Sequence, residues 1–105
     1  MRPSKRQQLP RGVVSDLLGI TRAMYRQEVA AGGHPVRLQA LVDIGKMLRT
    51  ALELSKVEPD TIGHRAAWGW AGKAVTALGD YVAIADAPAL AAVLRASAEK
   101  LRTGS

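Results

Sequence analysis

The chain has 105 residues, a formal net charge of +6 and no cysteine, and 48% of its residues are hydrophobic although it holds only two Trp, two Tyr and no Phe. Without thiols it has no disulfides, no Cys-ligated zinc and no thiol catalysis, which fits a reducing, cytoplasmic setting. No apolar run approaches the roughly 20 residues of a membrane span, and no apolar core follows the basic N-terminus as it does in a secretory signal.

This length corresponds to one domain with a thin stability margin. Much of the apolar content is alanine, which buries little area per residue. An alanine-rich core requires closely approaching helices or a partner subunit. The charge is uneven. Residues 1–31 carry Arg2, Lys5, Arg6, Arg11, Arg22 and Arg26 against Asp16 and Glu28, a net +4, and the remaining 74 residues carry only +2. Such a balance favours an anionic partner.

In chain order, residues 1–11 hold Pro3, Pro10 and many polar side chains, with almost nothing to bury, and read as a flexible basic arm. From Gly12 to Ala31 the pattern is helical, and Gly32-Gly33 ends it with left-handed capping conformations. Pro35 then sits in the first turn of a second helix, where its missing N–H costs nothing. Leu38, Leu41, Ile44, Leu48 and Leu52 recur at three- and four-residue steps over about 35–56, widened by Met47, Ala51 and Leu54. Asp43 with Lys46 and Arg49 with Glu53 are spaced for surface ion pairs. Pro59 stops this helix, and Asp60 or Thr61 is placed to cap a third over about 61–84. Asp86 and Pro88 repeat the device for a fourth over about 87–102, with Leu90, Val93, Leu94, Ser97 and Leu101 on one side. No segment alternates with period two. The expectation is an all-α bundle of four helices, or five if the first segment breaks at Gly19, joined by short loops. Residues 12–105 form the single domain.

The third helix has two apolar faces. His64, Trp68, Ala71, Val75, Leu78 and Val82 form one. Ala66, Trp70, Ala74, Ala77 and Tyr81 form the other, a shallow trough of small residues with an aromatic near each end. The trough is read as an interface, filled either by the chain's own N-terminal helix or by the third helix of a second copy, which makes a homo-oligomer.

Nothing points to catalysis. His34 and His64 have no metal-ligand spacing, the carboxylates are scattered in capping and pairing positions, and no Gly-rich loop follows a strand. No cofactor, metal or small-molecule substrate is implied, and an enzyme is the least supported class.

The stretch "SDLLGITRAMYRQ", residues 15–27, carries the one specific hint. Ser15 lies four residues before Gly19, Ile20 follows the glycine, and Thr21 is placed to cap a helix. Over residues 13–31 this resembles the helix-turn-helix of DNA-binding proteins. The resemblance implies a recognition helix presenting Arg22, Arg26 and Gln27, with Arg2, Lys5, Arg6 and Arg11 of the arm reaching a neighbouring groove. It departs from the pattern at Tyr25 and Glu28, and residues 1–10 cannot supply the helix that packs behind the motif. A single helix accounts for the same residues, with Val13, Leu17, Ile20 and Met24 in one line and Val14, Leu18, Tyr25 and Val29 in the next.

Two functions follow as expectations. One is a small accessory or regulatory protein, of phage or plasmid type, that binds nucleic acid through its basic N-terminal third. The other is a helical interaction module or adaptor with no nucleic-acid role.

Overall fold

Local stop and start signals divide the chain into four helices in the computed structural model, which describes residues 8–57, 61–85 and 88–103. These are α1 (Arg11–Ala30), α2 (Pro35–Leu54), α3 (Ile62–Ala85) and α4 (Pro88–Thr103), with no strand among the described residues. The all-α bundle expected from the sequence is what forms.

Three of the boundaries have causes that lie beside them in the chain. Gly32 (φ 122°) and Gly33 (φ 70°) take positive φ. The N–H of Gly33 donates to Glu28 O at 2.9 Å and that of Gly32 to Val29 O at 3.2 Å. Together these bonds close a Schellman cap on α1. Pro35 is the first residue of α2. The Thr61 hydroxyl accepts from the His64 N–H at 3.1 Å, the N-cap to N3 bond that starts α3. The other proposed caps, Asp60 and Asp86, lie outside the described residues.

α1 is one helix. It runs through Gly19 without a turn, so the break that a helix-turn-helix places there does not form. Its buried seam is Val14, Leu17, Leu18, Thr21, Met24 and Glu28. That spacing of three and four is regular, but two of the positions are polar. Tyr25 and Val29, expected inside, are exposed at 37% and 51%.

The other helices also bury single seams. In α2 the seam is Leu41, Ile44, Leu48 and Ala51, with Gly45 beside them. In α3 it is His64, Ala67, Ala71, Ala74, Leu78, Tyr81 and Val82, which draws members from both faces expected of that helix. α2 packs most extensively on α3 and next on α1, while α4 lies along α3 and touches α1. Fully buried Leu17, Leu41, Ile44, Leu48 and Leu78 contribute about 2 kcal/mol each. Buried Ala51, Ala67, Ala71 and Ala74 let the helix axes approach closely. In α4 Leu94 and Leu101 are buried, but Val93 faces outward.

The trough on α3 is therefore not an open interface. Ala74 and Tyr81 belong to the chain's own core, and Ala66, Trp70 and Ala77 are partly buried. Trp68 lies against α4, lining a groove with Ala98 and Leu101, whereas the Lys73 ammonium sits 4.8 Å from the centre of the Trp70 ring.

Of the expected arm, residues 1–7 lie outside the described residues, and the rest departs from expectation. Arg11 begins α1, and Leu9 is only 1% exposed. Its N–H donates at 2.9 Å to Nε2 of His64, itself buried. The other ring nitrogen, Nδ1, lies 3.3 Å from the Val57 carbonyl. Since Nε2 accepts, Nδ1 carries the proton and donates to that carbonyl. Thus one histidine satisfies two backbone groups at the α2–α3 end.

Candidate nucleic-acid interface

The residues proposed to contact nucleic acid separate into three groups. Arg2, Lys5 and Arg6 lie outside the described residues. Thr21 is buried, and its hydroxyl donates to the Leu17 carbonyl one turn back at 2.9 Å. That bond is spent within α1 and is not a helix cap, and only 3% of the residue's surface is exposed. Arg11, Arg22, Arg26 and Gln27 are exposed on α1.

Helix geometry places Arg11 about 16 Å along the axis from Arg22. The positive charge of Arg11 is near enough to the Glu53 carboxylate, at the end of α2, to help lower its pKa. It is not part of one continuous patch with Arg22 and Arg26.

Arg22 has a different neighbour. A shallow groove of about 180 Å³ runs between α1 and α2, lined by Leu18, Thr21, Arg22 and Tyr25 on one bank and by Leu41, Val42, Gly45 and Arg49 on the other. The Arg49 guanidinium lies over Gly45. Lys46, one turn after Val42, is exposed on the same side of α2. Sequence spacing sets Arg49 against Glu53 and Lys46 against Asp43, but neither pair forms. Instead Glu53 pairs with Lys56 at 2.8 Å, and Asp43 accepts from Gln39 Nε2 at 2.9 Å. Lys56 beside Glu53 holds that carboxyl below its ordinary value. Among the described residues, Arg22, Arg26 and Arg49 have no ion-pair partner.

The acid that sequence position sets against this charge is turned inward. Glu28, 9% exposed, accepts from the Tyr81 hydroxyl at 3.0 Å and from the His34 N–H at 3.2 Å, and Arg37 lies 3.8 Å away. Burial alone raises the Glu28 carboxyl. The hydrogen bonds from Tyr81 and His34, with the positive charge of Arg37, outweigh that and hold it below its ordinary value. Burial and the Glu28 carboxylate together push the Tyr81 phenol up. With Glu28 occupied in this way, the Arg22–Arg26 turn of α1 keeps its positive charge.

A second and larger groove lies on the opposite side of α2. It has a volume of about 570 Å³, with apolar walls from Ala40, Ile44 and Met47 facing Ala77 and Tyr81, and it holds Arg37, Asp43 and Asp80. Val36 and Ile84 at its mouth are 71% and 70% exposed. Two residues of the expected trough thus line a groove, but its other wall is α2. Among the described residues no group of His, Asp and Glu is placed to hold a metal ion, and no helix is long and apolar enough to cross a membrane.

No family model matches the chain, and no curated protein or solved structure is significantly similar to it.

Proposed function

We propose that this protein is a small cytoplasmic accessory or regulatory factor that binds nucleic acid. It does so through the α1–α2 face that carries Arg22, Arg26 and Arg49. Arg2, Lys5, Arg6 and Arg11 add phosphate contacts from the N-terminal segment. One observation carries the reading: among the described residues three exposed arginines stand without acidic partners while Glu28 is bonded inward. Mutual repulsion on that face has no structural return, and an anion relieves it. Phosphates satisfy that requirement at any sequence, so affinity falls steeply with salt.

The test is binding of duplex and single-stranded DNA measured by fluorescence anisotropy across a salt series. The double variant R22Q/R26Q is expected to weaken binding and reduce the log–log salt slope by about 2, one for each phosphate no longer neutralised. No binding of either form at low salt, or an unchanged slope, overturns the proposal.

The groove between α2 and α3 supports a second reading, association with another copy of this chain. It carries both signs of charge, Arg37 near the start of α2 and Asp43 and Asp80 further along, as a self-complementary two-fold contact requires. Exposed Val36 and Ile84 supply the apolar part.

A further inference from the structure

We infer that the smaller groove between α1 and α2 takes an unpaired base of a single strand, and that the strand's phosphates are held by the arginines on its two banks. The inference rests on the nucleic-acid reading above and narrows its ligand. The groove floor is largely apolar, formed by Leu18, Leu41 and the backbone at Gly45, whose missing side chain leaves only van der Waals contact with Leu18 and the Arg49 guanidinium. Arg22 stands on one bank and Arg49 on the other. Tyr25 lines the wall at 37% exposure, beside the buried seam of α1 and not in it.

An anion alone has no use for an apolar floor or an aromatic wall. A purely apolar ligand has no use for two guanidinium groups. A nucleotide whose base is not paired has both parts: a flat face that stacks on a phenol or guanidinium plane, and a phosphate that accepts from arginine. A paired base lies inside its duplex stack and cannot enter a slot of about 180 Å³.

The experiment compares DNA and RNA single strands of about 12 nucleotides, within the span one small binding domain covers, with a hairpin duplex of matched charge. Binding is followed by anisotropy for wild type, Y25A, Y25F and R49Q, each checked for native helicity by circular dichroism. Single strands are expected to bind at least about fivefold tighter than the duplex. Y25A loses at least about fivefold on single strands only, the low end of one stacked base. Y25F retains wild-type affinity, R49Q weakens both ligands, and the tighter of the DNA and RNA strands identifies the source. Equal binding of duplex and single strand with no effect of Y25A overturns this inference and leaves the broader reading standing. If neither ligand binds at low salt, both fail. Equal loss on both ligands in Y25A makes Tyr25 a structural residue and removes the base slot.

Discussion

Glu28 illustrates how one side chain can reverse the meaning of its neighbours. On sequence position it offsets Arg22 and Arg26, but on the seam of α1 it answers to Tyr81 and the His34 backbone instead. Its carboxyl is held below the ordinary value of 4.5, so its contribution to stability has a definite sign with pH. The contribution is fully present above the ordinary carboxylate range and disappears as pH falls through the depressed value. Urea unfolding midpoints measured from neutral to acid pH should therefore fall more steeply for wild type than for E28Q. Parallel curves contradict the network. Glu53 is lowered in the same direction by Lys56, so the difference between the two curves, not the wild-type slope alone, isolates Glu28.

At the level of the helix, the two kinds of glycine make opposite predictions. Gly19 lies inside α1 with open space where a Cβ would stand, so G19A should stabilise the protein by up to about 1 kcal/mol. If Gly19 formed a turn, the same change would destabilise. Gly32 sits at φ 122°, a conformation L side chains rarely adopt, and G32A should cost about 1 kcal/mol or more. Thermal melts of the two variants, moving in opposite directions, check both statements. The helix bounds are legible in the sequence to within about two residues because their causes are local: Gly32-Gly33, Pro35, Thr61 and Pro88 act on the backbone next to them. The register of α1 is not legible. Thr21 and Glu28 occupy core positions, and the partner that makes Glu28 acceptable there, Tyr81, is 53 residues away. The His64–Leu9 bond, across 55 residues, is hidden for the same reason. The exposure of Arg22 and Arg26 follows from helical periodicity. The role of Arg49 does not, because Glu53 four residues on suggests a pair that Lys56 takes instead.

On the scale of the whole molecule, a chain measuring 51 × 22 × 17 Å presents two grooves of different character. α2 is shared by both grooves. Its α1 side is cationic with a small apolar slot, and its α3 side is apolar with mixed charge. If the larger groove joins two copies, sedimentation should give a dimer for wild type and a monomer for I84K, since that position is 70% exposed and a charge at the centre of such a contact is costly. Nucleic-acid binding per chain should survive the change. A monomer at all concentrations in wild type removes self-association and leaves the cationic face unaffected.

The unbroken run of α1 through Gly19 holds Arg11 and Arg22 at fixed heights on one rod, both exposed to solvent. Positive charge thus occupies two posts about 16 Å apart along one helix. On a strand with a phosphate every 3.4 Å or so of axis, that interval corresponds to about five phosphates.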